Sequence, residues 1–556
     1  MKLNGAEITI KLLEQQGITR IAGIPGGSNL PLYDALSASS IEHVLTRHEQ
    51  GAGFIAQGMA RVTGKPAVCF ASSGPGATNL ITAIADANMD SIPVIAITGQ
   101  VASGLIGSDA FQEVDTFGLM LPITKHNFLV RSAEELLETI PEAFRIAQSG
   151  RPGPVSIDIP KDVQLQQIEI DALPELPKIA ALPKAKDKQI EMMKKMLATA
   201  ERPVLMIGGG IVHSGCAGEL LEFAENFDLP VVSTFMGLGV VPDDHPLFLG
   251  MLGMHGARYT NMVLEECDLL IGAGVRFDDR ATGKVSGFCP QAAIIHIDVD
   301  ASELGKIKTP KLAIKADIGT TIKTILQYTQ DQPRPKWRER VAFLKQRHPL
   351  VINEDKGVFA PYGLLQYLAE TVGEQTNVVT DVGQHQMWTA QVYPFKRPRQ
   401  WISSGGLGTM GFGLPAAIGA SFEQPDRLTL CITGDGSIMM NLQELDTAVE
   451  HNLNIKVVIM NNKYLGLVRQ QQALFYGKRF HGITNDKKVN FAALAVAMGA
   501  SGFDLGEADD PYAVIQQALS NPGPCVIDVP ISEQEMVFPM VPPGAANKEM
   551  IGGATA

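Results

Sequence analysis

Two segments of this chain nearly repeat each other at an offset of 370 residues: RPGPVSIDIP at 151–160 and NPGPCVIDVP at 521–530. A second pair, AVCFASSGPG at 67–76 and LTLCITGDGS at 428–437, sets Cys69 against Cys431. Both pairs include an apolar, β-branched run next to a Gly-rich turn, the pattern of a parallel strand buried on both faces. Two such matches, in the same order and at offsets of 370 residues and, for the cysteines, 362, mean that one α/β unit occurs twice, around an unlike middle. No other feature restricts the fold as much.

The rest of the chain fits that plan, and 556 residues suit about three domains. To about residue 170, apolar runs at Arg20–Gly23, Ala67–Ala71, Pro93–Thr98 and Val155–Ile159 alternate with helical patterns. The opening MKLNGAEITIKLLEQQG reads as an amphipathic helix ending at Gly17. Residues 178–188 form a Pro- and Lys-punctuated linker. A second α/β segment runs through PVLMIGGG (203–210), DLLIGAG (268–274) and AIIHID (293–298), and fades near Tyr328. A charged connector with Pro333 and Pro335 follows. The expected fold class is α/β, with three doubly wound parallel-sheet domains at 1–170, 187–330 and 355–556.

Composition removes several function classes. The formal net charge of −13 argues against a general nucleic-acid binder. Cys69, Cys216, Cys267, Cys289, Cys431 and Cys525 contain no Cys-x-x-Cys pair, against a disulfide framework or a zinc site. The start lacks a signal-peptide apolar core, and the charge-free stretches 66–85 and 401–423 are broken by Gly, Pro and Ser. Those two read as buried strand-and-turn structure, and the chain as cytoplasmic with no membrane span.

The second copy carries the chemistry. From 428 the sequence reads as strand, Gly434-Asp435-Gly436-Ser437 turn, helix over 442–449, then a strand over 455–460 ending at Asn461-Asn462. Both polar clusters finish at strand ends, where open α/β sheets bind ligands. Mg²⁺ needs hard oxygen donors, few from protein and some from phosphate. Asp435 offers a carboxylate, Asn462 an amide oxygen and Tyr464 a backbone carbonyl. The flanking glycines let backbone approach a diphosphate, and a helix N-terminus favours its charge.

The Gly-Asp-Gly to Asn-Asn spacing resembles the thiamine-diphosphate motif. At closer range the chain resembles the catalytic subunits of acetohydroxyacid synthase (acetolactate synthase), of the bacterial biosynthetic type, over nearly its whole length. Beyond the opening motif, the segments GIPGGSNLPLYDAL, RHEQGAGFIAQGMAR, SGPGATN, TGQV, DAFQE, SGRPGPVSIDIPKD, GMLGMHG, GVRFDDR, VGQHQMW, SGGLGTMGFGLPAA and MVPPGAAN carry the likeness.

The resemblance implies pyrimidine-binding, central FAD-binding and diphosphate-binding domains. Glu49 would hold the proton on the cofactor's pyrimidine N1′. Gly383, Gln384, His385, Gly436 and Ser437 would hold the diphosphate, and Gly408 and Met410 the pyrimidine, with Met410 as a bulky wedge. Gly26 and Gly27 would line the reacting carbon, with Gln112 and Lys161 beside them; Lys161 equally suits a surface lysine. Gly208, Gly209, Gly210, Arg276, Asp298 and Asp317 would contact FAD. Phe111, Met254, Arg280 and Gln471 would meet substrate, Arg280 as a carboxylate fork or, alternatively, as an interdomain salt bridge.

The implied reaction decarboxylates pyruvate on thiamine diphosphate and condenses the hydroxyethyl carbanion with pyruvate or 2-oxobutyrate, in branched-chain amino acid biosynthesis. A pyruvate oxidase and a flavin-free acetolactate synthase are the nearest alternatives, and RFDDR favours the flavin-binding form. The implied partners are a second copy of the chain, completing the active site, and a small regulatory subunit. Gln471 departs from the family pattern, which places tryptophan there.

Overall fold

The structure, a computed structural model, describes residues 1–327, 333–350, 357–484 and 489–552. The expected domain limits at 330, 355 and 556, and the fading point at Tyr328, lie outside the described residues. Three six-stranded parallel sheets organise the chain. In spatial order the first holds Glu42–Leu45, Arg20–Gly23, Ala67–Ala71, Val94–Gln100, Val155–Pro160 and His126–Leu129. The third holds Trp401–Ile402, Asn377–Thr380, Thr429–Gly434, Ile455–Asn461, Cys525–Pro530 and Ser501–Asp504. Numbered along the chain, both read 2-1-3-4-6-5, and the repeated segments occupy equivalent places. The repeat seen in sequence is therefore a repeat of topology.

The middle sheet differs. Its spatial order is Phe248–Met251, Val231–Ser233, Pro203–Ile207, Leu269–Ala273, Ala293–Asp298 and Leu312–Lys315, or 3-2-1-4-5-6 along the chain. That is the dinucleotide-fold order, with its switch point between Pro203–Ile207 and Leu269–Ala273.

Strand alternation decides how the domains join. On the third sheet, Val379, Cys431, Val457, Ile459 and Val526 face one way, and Val378, Leu430, Ile432, Val458 and Ile527 the other. The first set shares a core with helix Gly413–Glu423, with helix Glu49–Thr63 and with the Ala67, Cys69, Ala71 and Ala96 face of the first sheet. The second set packs under Leu364, Leu368, Trp388 and Ile515, and that cluster runs on into the central domain. The Phe235 and Trp401 rings meet across this boundary with centroids 5.0 Å apart.

Helices Glu49–Thr63 and Gly413–Glu423 cross at glycines. A Cβ on Gly58 would strike the Ala416 carbonyl, and one on Gly419 the Ile55 carbonyl. Only glycine permits so close a backbone approach.

Several expectations change. Residues Lys2–Asn4 form a strand antiparallel to Gln167–Glu169, and the helix is Gly5–Gln15, opened by an Asn4–Glu7 capping box. The 178–188 linker ends early, because helix Asp187–Thr199 begins inside it. The charged connector is in fact helix Pro335–Arg347, which buries Trp337, Val341 and Leu344 against Val204, Met206 and Leu270 of the central sheet. Pro335 starts it, a favoured first helical position. The stretches 66–85 and 401–423 are short strands leading into helices Pro75–Asp90 and Gly413–Glu423. All six cysteines are free and buried. No described helix is long and apolar enough to cross a membrane.

Gly58→Ala should therefore cost about 1–3 kcal/mol through overpacking. Gly218→Ala, in a helix with open space around the new Cβ, should instead stabilise by about 0.5–1 kcal/mol. Denaturant midpoints of the two variants check the opposite signs.

Candidate active site

Strands Thr429–Gly434 and Ile455–Asn461 are neighbours, with Gly434 paired to Met460, so Asp435 and Asn462 leave the sheet side by side. The expected Gly-Asp-Gly-Ser turn is one turn of helix, Asp435–Ile438, with Gly434 extended before it. Asp435 and Ser437 are buried. Asn462 is fixed at both ends of its amide. Its oxygen accepts from the Tyr464 N–H at 3.0 Å, and its nitrogen donates to Gln384 Oε1 at 2.9 Å.

Gln384 opens helix Gln384–Val392, with Gly383 as its N-cap. Behind it His385 is wedged between glycines: a Cβ on Gly383 would come within 2.6 Å of its ring, and one on Gly434 within 2.9 Å. Burial pushes His385 down to about 3, so its imidazole is neutral. Its Nε2 is buried without a hydrogen-bond partner. Helix starts, glycine backbone and an unpaired buried ring nitrogen fit a bound diphosphate. On the other side Met410 Cε lies 4.0 Å from a Cβ built on Gly436. Gly408 has φ +67.

Glu49 is the first residue of helix Glu49–Thr63 and accepts from Asn79 Nδ2 at 2.8 Å. Around it the backbone closes in. A Cβ on Gly76 would lie 3.4 Å from Glu49 Oε1, one on Gly26 would strike Ser72, and one on Gly74 would strike the Gln112 backbone. The fold thus gathers Gly26, Glu49 and Gln112 around the segment 72–79. Gly27 has open space where a Cβ would go, and Phe111 is 88% exposed. Lys161 opens the short helix Lys161–Leu165 beyond strand Val155–Pro160, half-buried. The third domain supports this cluster: Glu444 accepts from the backbone N–H of both Arg47 and His48 at 3.0 Å.

In the central domain, Gly208 caps helix Gly209–Ser214 at the switch point. A Cβ on Gly208 would strike the Gly274 carbonyl, and one on Gly210 would lie 2.6 Å from Gly274 Cα. These two glycines serve close packing, while Gly209 faces Met236. Arg276 Nη1 donates to the Met89 carbonyl of the first domain at 2.6 Å. Burial pushes Asp298 up to about 6, although it accepts from the Asp300 N–H. Asp317 caps helix Ile318–Leu326 through the Thr320 N–H at 2.7 Å.

Arg280 forms no interdomain salt bridge among the described residues. It reaches Met254 Sδ at 3.3 Å and Asp279 at 3.8 Å, with its side chain 67% exposed. Gln471 is exposed on helix Gly466–Phe475, as are Phe475 and Tyr476.

Sequence reasoning missed three supports. Asn79 stood in the quoted SGPGATN segment without a role. Gln470, adjacent to Gln471, is buried and exchanges two hydrogen bonds with the Val537 backbone, at 2.8 and 2.9 Å. Asp381 accepts from the Gly411 N–H at 2.8 Å. Only Asn79 carried a local signal, its place in the glycine-bearing start of helix Pro75–Asp90.

Comparison with known proteins gives the family. Three family profiles match: the thiamine pyrophosphate enzyme N-terminal TPP binding domain over 3–119, central domain over 190–325 and C-terminal TPP binding domain over 381–529. The chain is 55% identical over 552 residues to the acetolactate synthase isozyme 1 large subunit of Escherichia coli (strain K12), covering 99% of this chain and 98% of that one. It is 45% identical over 551 residues to the isozyme 2 large subunit of the same organism, covering 99% of each. The acetolactate synthase large subunit of Porphyra purpurea is 43% identical over 553 residues, covering 97% of this chain and 93% of that one. Topology, site and comparison converge: the chain belongs to the acetolactate synthase large subunits, within the thiamine pyrophosphate enzymes.

Proposed function

We propose that this acetolactate synthase joins a two-carbon unit from pyruvate to a second 2-oxo acid, with the roles divided among the clusters above. The observation that carries the reading is that Asp435 and Asn462 follow adjacent strands, with the His385 ring packed on Gly434 and its buried Nε2 unsatisfied. Asp435, Asn462 and the Tyr464 carbonyl would hold Mg²⁺. Gly383, Gln384, His385, Gly436 and Ser437 would hold the diphosphate, and Gly408 and Met410 the pyrimidine. Among the described residues no group of three His, Cys, Asp or Glu is placed to hold a metal ion. One carboxylate with neutral oxygens suits Mg²⁺ completed by phosphate and water.

Thiamine diphosphate, when bound, would supply a nucleophilic carbon at its thiazolium C2, the C2 proton passing to the cofactor's own 4′-imino group once N1′ is protonated. Glu49 would hold the N1′ proton, with Asn79 orienting its carboxylate. Gly26 and Gly27 leave room at the reacting carbon, with Phe111, Gln112 and Lys161 beside it. Arg280, with Met254, presents a guanidinium fork to the acceptor's carboxylate. Gly208, Gly209, Gly210, Arg276, Asp298 and Asp317, at or near the central switch point, are assigned to FAD. The free, buried cysteines support a reducing, cytoplasmic setting.

The site is assigned to the interface of a homodimer. Phe111, Leu121, Met440 and Tyr476 are all more than half exposed in the single chain, apolar side chains that a second copy would cover. A small regulatory subunit is the expected further partner, since the relatives are named large subunits.

Three tests follow from these assignments. Asp435→Ala should abolish Mg²⁺-dependent cofactor binding, because a diphosphate loses its counter-charge; unchanged affinity by titration calorimetry refutes the metal assignment. Glu49→Gln and Asp435→Ala variants, each inactive, should on mixing and reassembly recover about a quarter of native activity if each site draws on two chains. No recovery places each site within one chain.

The third test concerns the acceptor. A glutamine at 471 gives less apolar contact than an indole, and one methylene in an apolar pocket is worth about 1–3 kcal/mol. The native enzyme should show little preference for 2-oxobutyrate over pyruvate, and Gln471→Trp should raise it about 10-fold or more. Competition between the two oxo acids reads this directly, and a strong native preference left unchanged by the substitution contradicts it.

A further inference from the structure

The segment 404–409 leads into Met410, and besides Gln386 of its own domain, which donates to the Ser404 carbonyl at 3.0 Å, its hydrogen-bonding partners outside the segment lie on another domain. Helix Pro75–Asp90 of the first domain ends with two buried carboxylates, Asp86 and Asp90. Asp86 Oδ1 accepts from the Ser404 hydroxyl and, at 2.9 Å, from the Thr409 hydroxyl. Asp90 accepts from the Gly405 N–H at 2.9 Å and the Gly406 N–H at 2.7 Å. The Thr409 N–H donates to Ser404 Oγ at 2.9 Å, closing the segment on itself.

The countercharge comes from a third element. Arg61, buried on helix Glu49–Thr63, donates to Asp90 at 2.9 Å and lies 3.5 Å from Asp86. Its guanidinium carbon sits 5.0 Å from the centroid of the Phe412 ring, two residues past Met410. Burial, with the neighbouring Asp90 charge, pushes Asp86 up to about 6, opposed by Arg61 and the two hydroxyls. Both hydroxyls donate to Asp86 Oδ1, which therefore serves here as an acceptor. Just past Met410, the Gly411 N–H is held by Asp381.

Met410 thus stands on a short span whose two ends are fixed by carboxylates of different domains. The central domain presses on the same node: Arg276 bonds the Met89 carbonyl, and a Cβ on Gly405 would strike the Met236 side chain. Pinning by charged acceptors is expensive to undo, since a hydrogen bond to a charged group contributes more than a neutral one.

We propose that Asp86 and Asp90 are positioning residues for Met410, clamping the segment 404–409 so that the methionine is held at a fixed angle to the bound cofactor. This rests on the reading of Met410 as the pyrimidine contact. A methionine has three rotatable bonds and fills irregular space readily, so on a loose segment it would enforce no shape.

The test uses the full-length enzyme loaded with thiamine diphosphate and Mg²⁺, with Asp86→Asn and the pair Thr409→Val and Thr409→Ser. Three quantities are read: amide hydrogen exchange across 403–411, exchange of the cofactor's C2 proton with deuterated solvent, and cofactor Kd. In Asp86→Asn and Thr409→Val, segment exchange should rise about 10-fold or more, and C2 exchange should slow by a similar factor. The Kd should move less than about 3-fold, because the diphosphate anchors are untouched. Thr409→Ser, which keeps the hydroxyl, should restore both rates. Unchanged segment exchange overturns the clamp, as does a native C2 rate in the loosened variants where Met410→Ala slows it. Met410→Ala separates the two readings. If it leaves the C2 rate unchanged, the pyrimidine contact fails, and segment exchange still judges the clamp. If only Met410→Ala slows the C2 rate, the clamp is overturned. Should Asp86→Asn fail to fold, the Thr409 pair carries the test alone.

Discussion

The third sheet is apolar on both faces, and each face belongs to a different neighbour. Val379, Cys431 and Val457 look toward the first domain; Val378, Leu430 and Val458 look toward the helices that lead into the central domain. Each such side chain contributes about 1.5–3 kcal/mol when fully buried, so a bare face would be costly to leave in water. A slip of one residue in any of these strands would exchange the two faces. Register, domain order and the placing of the strand ends are therefore one constraint. The proposed diphosphate cradle inherits its geometry from it, since Asp435 and Asn462 are the residues that follow adjacent strands.

The Glu49 cluster depends on the same arrangement from the other side. Small residues on the first sheet, Ala67, Cys69, Ala71 and Ala96, let helix Glu49–Thr63 lie between the sheets, and glycine at 58 and 419 lets it cross its partner helix closely. Glu444 then takes up the free N–H groups of Arg47 and His48 just ahead of the helix. Burial pushes that carboxyl up to about 7, and the hydrogen bonds it accepts pull against this. A group of the third domain thus orients the start of the helix that bears Glu49.

What could be read from sequence follows from the range of the interactions. The repeated strands were visible because β-branched runs and glycine turns are local, and topology bore out the repeat. The Gly-Asp-Gly and Asn-Asn elements were visible for the same reason. Lys2–Asn4 was misread as helix because its partner strand lies at Gln167–Glu169, and helix Pro335–Arg347 because Trp337, Val341 and Leu344 are dispersed among charges. Asp86, Asp90, Gln470 and Glu444 gave no signal at all. Each is a polar residue whose meaning comes from a partner dozens to hundreds of positions away, and isolated polar residues in helices look alike in sequence.

On helix Gly466–Phe475, Gln470 is tied inward to the Val537 backbone while Gln471 faces out. The inward residue sets the rotation of the helix, so its neighbour can change size or polarity with the scaffold left in place. Under the acceptor role proposed for Gln471, stability and selectivity would fall to adjacent residues and could drift independently. A lineage could retune what this face of the enzyme accepts by a single codon, with no second change needed to keep the fold.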